Sequence, residues 1–126
     1  MTSVTELEHR AAIDDALRSY CRGIDRLHAP AIEAAFHADA MPEGYGSGEP
    51  TPIGAFVPNV LASLRAKFAA TQHRLSNVTI EINGNAALVE SYVLAYHVIA
   101  SDADASKDGR TLITFNGRYI DRFEAR

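Results

Sequence analysis

The chain of 126 residues has little of what anchors or cross-links secreted and membrane proteins. Cys21 is its single cysteine, which excludes a disulfide within the chain and fits a reducing compartment. No apolar run approaches the roughly 18 residues that a membrane-spanning helix needs. The first six residues lack the basic and apolar segments of a signal peptide. These absences predict a protein without a membrane partner and with a cytoplasmic location.

Positive charge is also scarce. There are 12 Lys and Arg residues against 16 Asp and Glu, giving a net charge of −4, and the two signs are interspersed. Without a basic stripe to neutralise phosphates, nucleic acid is not expected as a partner. The hydrophobic fraction of 47% and the charged fraction of 22% are typical of globular proteins. The length predicts one domain over residues 1–126.

The first half of the sequence has the period of helices. Apolar side chains recur at three- and four-residue spacing over residues 6–26, which predicts one amphipathic helix with Thr5 as its N-cap. A short second helix is predicted from Pro30 to about His37. A third helix follows a loop rich in Gly and Pro, and its first turn could hold either of two prolines, Pro52 or Pro58.

The second half changes to the period of strands. Three strands are predicted, at 71–82, 87–100 and 111–123. Asn83-Gly84 favours a tight hairpin turn, because both residues tolerate positive φ. A polar loop is predicted at 101–109. Helices followed by antiparallel strands indicate an α+β fold, with the helices covering one face of the sheet around a cone-shaped interior.

A polar residue lies at the border of this apolar pattern in the helical half. Asp25 lies at the edge of the first helix's apolar stripe, whereas Tyr20 points to its centre. A carboxylate is unfavourable at the negative C-terminal end of a helix, so Asp25 is expected to have a cationic or hydrogen-bonding partner. Arg22 and Arg26 could serve locally. The alternative is that Asp25 meets a group from another element.

His73 opens the first predicted strand and is the best candidate for that group. An imidazole takes up a proton near pH 7, and a carboxylate on its other nitrogen would fix the tautomer and stabilise the cation. Asp25 and His73 could therefore form an acid–base pair, although a lone histidine is more often a surface or satisfied core residue. His97 lies mid-strand among apolar residues, where an unpaired imidazole would be costly.

In the third strand Asn116 and Arg118 alternate onto one face, and Arg118 needs a partner only if it is buried.

Other chemistries have weaker support. The sequence contains no His-Glu-x-x-His motif, so a zinc site has little support. Ser47, between two glycines, lacks the strand–turn–helix context of a hydrolase nucleophile. No metal or organic cofactor is expected.

Four segments have characteristic sequences: IDDALRSYCRGID at 13–25, TQHRLSN at 71–77, IEINGNA at 80–86 and GRYIDRFE at 117–124. In their order and spacing they resemble the SnoaL-like family, which belongs to the superfamily with the nuclear transport factor 2 (NTF2) fold. The resemblance implies three helices that wrap a curved antiparallel sheet around a pocket. Family members usually continue into one more strand, often containing Trp, and we expect that strand to be missing from this sequence.

The resemblance also implies site residues and partners. In dehydratases and dehydrochlorinases of the family an Asp–His pair abstracts a proton; Asp25 and His73 match that pair, and Tyr20 matches a tyrosine that precedes it. Further substrate-binding positions resemble His97, Asn116 and Arg118, with Arg122 as an alternative to Arg118. Family dimers and trimers imply a homodimer or homotrimer.

From these residues and the resemblance together we expect a cofactor-independent lyase or isomerase. Its ligand would be a small apolar organic molecule, cyclic or polycyclic. The alternative is a non-catalytic module of the same fold that binds a small ligand or serves oligomerisation.

Overall fold

Three helices precede three strands in the computed structural model, which describes residues 2–44, 48–100 and 111–126. The elements are α1 Val4–Arg26, α2 Ala29–Glu33, α3 Ile53–Lys67, β1 Phe68–Asn83, β2 Ala86–Ile99 and β3 Leu112–Glu124. The strands form one antiparallel sheet in the order β1-β2-β3, so the α+β prediction is confirmed. The predicted loop at 101–109 and Ser47 lie outside the described residues. No helix in the described part is long and apolar enough to cross a membrane.

Helix α1 begins earlier than predicted, and its N-cap is Ser3 rather than Thr5. The Ser3 hydroxyl accepts a hydrogen bond from the backbone N–H of Glu6 at 3.1 Å, while the Ser3 backbone is extended. Thr5 already lies in the first turn. Either hydroxyl suits a cap, and the backbone geometry chooses Ser3. The predicted apolar stripe is confirmed by the buried residues Ile13, Leu17, Tyr20, Cys21 and Ile24.

A tight corner joins α1 to α2. Leu27 takes a left-handed conformation with φ of 52° and directs its N–H to the last carbonyls of α1. Ile32 of α2 then packs so closely that a Cβ atom on Gly23 would lie 2.6 Å from its Cγ1 atom. Gly23 is therefore required by this contact. Helix α2 ends at Glu33, shorter than predicted, because the chain continues there as isolated turns.

Helix α3 begins directly after Pro52, whose carbonyl accepts hydrogen bonds from Ala55 and Phe56, both at 2.9 Å. Pro58 lies inside the helix and Pro52 is its N-cap residue, so the helix starts after Pro52 rather than near Pro58, and neither proline lies in the first turn. The buried face of α3 consists of Phe56, Val57, Leu61 and Leu64.

The β1–β2 hairpin is confirmed, but its turn is displaced by one residue. Asn83 pairs with Ala86 in the ladder, so the two turn residues are Gly84 and Asn85. Only Gly84 has positive φ, 62°, which is the requirement of a turn with Gly at its first central position. Further along β1, a bulge interrupts the register between Ser76 and Thr79.

The sheet has a helix side and an outer side, and residues of each strand alternate between them. In β2 the helix side consists of the buried residues Ala87, Val89, Ser91, Val93 and Ala95. Ile13 and Leu17 of α1 form a buried cluster with two of these residues, Ala87 and Val89. Strand pairing extends the helix side to His73 opposite Ala95, and to Leu75 opposite Val93. Leu88, on the outer side, is 53% exposed.

Candidate active site between helix α1 and strand β1

The carboxylate of Asp25 is held by three donors from β1. Its Oδ1 atom lies 2.7 Å from Nδ1 of His73 and accepts the hydroxyl of Thr71 at 3.0 Å. Its Oδ2 atom accepts the backbone N–H of His73 at 2.9 Å. The side chains of Asp25 and His73 are only 20% and 10% exposed. The structure therefore brings the two sequence-predicted residues together in a largely buried pair.

Local structure explains this meeting. Thr71 and His73 are two residues apart in β1, so both project to the helix side, where the last turn of α1 presents Asp25. The partner that a carboxylate at a helix C-terminus requires thus comes from the strand, not from Arg22 or Arg26. Thr71 was not predicted from the sequence as a site residue, although its two-residue spacing from His73 was the signal that could have identified it.

The hydrogen bond to Asp25 also sets the tautomer of His73. An ionised carboxylate only accepts, so Nδ1 carries the proton and Nε2 of the neutral ring has its lone pair free. No described residue forms a hydrogen bond with Nε2. The arrangement can accept a proton at Nε2 and stabilise the resulting imidazolium through Asp25.

His97 lies beside this pair. Its ring is 5.4 Å from the His73 ring in an edge-to-face arrangement, and 4.6 Å from the ring of Phe68, measured between centroids. Burial, and secondly the charge that His73 can carry, lowers the pKa of His97. The Nδ1 atom of His97 is buried without a hydrogen-bond partner. His97 is therefore a neutral polar group next to the proton-accepting ring.

The pair lines a groove between α1 and β1. The groove has an empty volume of about 1020 Å³, counted with the solvent space at its mouth. Its wall is apolar at Leu17, Leu75 and Val78, and charged where α1 presents arginine and aspartate. A small apolar ligand would require an apolar pocket, whereas the groove that holds this pair is mixed, because the exposed face of α1 forms one wall.

Cys21 also lines this groove. Burial, and secondly the charge of Asp25, raises the pKa of the Cys21 thiol to about 12. The thiol is therefore protonated near neutral pH and is a poor nucleophile. Cys21 therefore serves packing on the buried face of α1 rather than nucleophilic chemistry.

Tyr20 is not among the groove's lining residues. It is buried in an aromatic cluster, with its ring 5.8 Å from Phe36 and 6.0 Å from Tyr119, both edge-to-face. Its role as a hydrogen-bond donor to substrate stays a prediction.

Asn116 and Arg118 are not brought to this site. Strand β3 contributes Tyr119 to the helix side, where its ring contacts that of Tyr20. Arg118 and Asn116, one and three residues before Tyr119, therefore project to the outer side. There Arg118 lies over the ring of Tyr92 at 5.3 Å, and Asn116 is exposed. Arg122, the alternative, is also exposed and pairs with Glu124. In this structure these three residues therefore lie on the opposite side of the sheet from Asp25 and His73, and a role for them in substrate binding stays a prediction.

Apart from this groove, the described residues form a second cleft and no metal site. Within residues 2–44, 48–100 and 111–126, no cluster of three or more His, Cys, Asp or Glu side chains could hold a metal ion. A second cleft, with an empty volume of about 680 Å³, lies between the first half of α1 and the β1–β2 hairpin. His9 and Phe123 line it, whereas Asp25 and His73 do not.

Comparison with known proteins identifies the family. Residues 5–126 match the sequence model of the SnoaL-like domain. The chain belongs to the SnoaL-like family. The resemblance of its four segments to that family is thereby confirmed.

Solved structures agree with this assignment in fold. A candidate scytalone dehydratase from Novosphingobium aromaticivorans is 24% identical with a TM-score of 0.80, over 97% of this chain and 77% of that one. A hexachlorocyclohexane dehydrochlorinase from Novosphingobium barchaimii is 21% identical with a TM-score of 0.72, over 95% and 78%. An NTF2-like superfamily protein from Salmonella enterica is 14% identical with a TM-score of 0.72, over 97% and 82%. Among curated proteins, none matches the sequence.

Proposed function

We propose that this SnoaL-like protein is a cofactor-independent lyase or isomerase in which His73 removes a proton from carbon. The observation that carries the proposal is the 2.7 Å contact between Nδ1 of His73 and the carboxylate of Asp25, which leaves Nε2 free to act as a base. A base with a pKa near the working pH is the efficient choice for proton transfer.

The proposed step moves one proton and one electron pair. Nε2 of His73 takes the proton from a carbon next to an activating group, and the C–H electron pair either expels a leaving group or passes into that activating group. The His73 ring becomes an imidazolium, whose charge Asp25 stabilises directly. Thr71 and the His73 backbone keep Asp25 fixed during the step, so that no side chain has to reorganise.

The structural neighbours support this class of reaction. The names of two of those proteins are candidate dehydratase and dehydrochlorinase, and these names denote the elimination of water and of hydrogen chloride. Both eliminations require the removal of a proton from carbon, which is the chemistry that a paired imidazole supports. The likeness in sequence is low, so the argument for this chain rests on its own Asp25–His73 contact.

His97 is proposed as the substrate-binding neighbour of His73. Its depressed pKa keeps it neutral when His73 is protonated, so that it does not compete for the proton. Its ring lies 5.4 Å from the His73 ring, measured between centroids, so a substrate that reaches His73 would also approach His97.

Removal of the base tests the proposed function. A panel of cyclic β-hydroxyketones and halogenated rings is screened for dehydration or halide release, and for deuterium exchange at carbon. With the compound that reacts, His73→Gln should lose about 10²–10⁴-fold in kcat/KM. His9→Gln, which changes a histidine outside the groove, should keep full activity. A folded His73→Gln protein with undiminished activity would exclude His73 as the base. A chain that binds compounds without any turnover would instead fit a ligand-binding module.

A homodimer or homotrimer is also proposed. The outer side of the sheet exposes Leu88 by 53% and Ile120 by 61%, and β3 forms a sheet edge among the described strands. Exposed apolar residues and open strand edges favour association. Light scattering in solution measures the mass of the assembly, and a monomer would contradict the proposal.

A further inference from the structure

Three arginines of α1 share the groove with the candidate base. Arg18, Arg22 and Arg26 follow one another at intervals of four residues, so they lie on successive turns of the same helix face. All three line the groove together with Asp25 and His73. Together with Asp14 and Asp25, they give the groove three guanidinium groups against two carboxylates.

The three arginines differ in their partners. Arg18 is paired with Asp14 at 2.9 Å. Arg22 and Arg26 form no ion pair with any described residue. The nearest acid in sequence is Asp25, whose two carboxylate oxygens accept hydrogen bonds from Thr71 and His73 of β1. Two guanidinium groups therefore remain at the groove without a carboxylate of their own.

We propose that the ligand of this groove is an amphipathic anion whose carboxylate or phosphate binds Arg22 and Arg26. Its apolar ring lies against Leu17 and Leu75 on the groove wall. That this ligand is also the substrate of His73 rests on the proposed function; the anion site itself does not.

The chemistry of the two arginines fits such a group. Side chains four residues apart on a helix are neighbours, about 6 Å apart at Cβ. Each guanidinium offers a planar fork of N–H donors that matches the paired oxygens of a carboxylate or the several oxygens of a phosphate. Binding an anion here also places negative charge near the imidazolium that forms on His73, which favours its protonated form.

Calorimetric binding of three matched naphthalenes tests the proposal. The probes are 2-naphthoate, 2-naphthyl phosphate and the neutral 2-naphthamide. At least one anion should bind roughly tenfold or more tightly than the amide, and whichever anion binds better identifies the group that the site prefers. Raising NaCl from about 20 to 500 mM should weaken the anions and leave the amide unchanged.

Variants then locate the site. Arg22→Gln and Arg26→Gln should each weaken the preferred anion about fivefold, with no change for the amide, because each removes one exposed cation. Arg10→Gln is the matched control, since Arg10 lies on the same helix outside the groove and pairs with Glu6. It should leave all three affinities unchanged.

Clear results would overturn the proposal: no detectable binding of either anion, equal affinity for amide and anion, or a double Arg22→Gln/Arg26→Gln variant that keeps the preference. The experiment needs no turnover. It therefore fails or succeeds independently of the proton abstraction assigned to His73, which the activity of His73→Gln tests by itself.

Discussion

The two sides of the sheet treat polar residues in opposite ways. On the helix side, His73 and Thr71 share the carboxylate of Asp25, and His97 and Asp121 are partly shielded from water. On the outer side, Arg118 rests on the exposed ring of Tyr92. Neighbouring residues of one strand thus have different chemistry, because the helices exclude water from one side only.

This contrast shows where reactive groups can form. A shielded imidazole or carboxylate must find a partner or shift its pKa, whereas an exposed arginine is screened by water at little cost. Accordingly, burial shifts the pKa values of His97 and Asp121 on the helix side. Function is therefore expected on the helix side.

A change at Asp25 should affect activity most, and its absence would contradict the contrast between the two sides of the sheet. Asp25→Asn should lower kcat/KM by about 10²–10⁴-fold, because an amide cannot stabilise the imidazolium as a carboxylate does. Arg118→Gln, on the outer side, should change kcat/KM less than about twofold. Steady-state kinetics of the two variants, with folding checked by circular dichroism, measure the difference. Equal losses would mean that both sides of the sheet contribute to the site.

Two adjacent residues of β2 test whether the two sides of the sheet also differ in their contribution to stability. Val89 is fully buried on the helix side, whereas Leu88 is half exposed on the outer side. Val89→Ala should reduce the free energy of unfolding by about 2 kcal/mol, through lost apolar contact and a residual cavity. Leu88→Ala should cost under about 0.5 kcal/mol. Urea denaturation measures both, and a larger loss for Leu88→Ala would indicate that an interface between copies buries the outer side.

The smallest expected effect concerns a carboxylate. Burial raises the pKa of Asp121, so the folded state holds its proton to higher pH than the unfolded state. The stability contributed by this group is complete below its ordinary value of 3.8 and is lost as pH rises through the folded pKa. Asp121→Asn should therefore raise the free energy of unfolding at pH 7 by up to about 1 kcal/mol, and by nothing below pH of about 3.8.

Glu90→Gln is the control for that measurement, since Glu90 lies on the outer side of the neighbouring strand, opposite Ile120. Its unfolding free energy should change little at either pH. Destabilisation by Asp121→Asn at pH 7 would show that the ionised carboxylate is stabilised in the fold and would contradict the expected sign.

Much of the fold could be predicted because its signals are local. The stripe from Ile13 to Ile24 defined α1, and alternation defined the long strands. Predictions of ends were less accurate. The N-cap moved from Thr5 to Ser3 and the hairpin turn moved from Asn83-Gly84 to Gly84-Asn85, since neighbouring residues suit each role almost equally well.

The site was predictable only in part. Asp25 and His73 stood out because each is a titratable group at the border of an apolar pattern. Asn116 and Arg118 looked equally suitable, yet they lie on the outer side, because a shift by one residue in a strand reverses the side that a residue faces. The partners of Asp25 could not be predicted without the packing of α1 against β1. The same packing places Arg18, Arg22 and Arg26 in the groove beside Asp25.

Local sequence patterns were enough to predict the order of helices and strands, the apolar face of α1 and the two titratable groups that the fold pairs. These depend on periodicity and residue chemistry, which act over a few residues. Three features became apparent only from the packing of the elements: the side of the sheet that each polar residue faces, the contact of Thr71 with Asp25, and the two arginines that line the groove without counter-ions. Thr71 and His73 contact Asp25 from 46 and 48 positions away in the sequence, and contacts over such distances follow from packing, which no local pattern encodes.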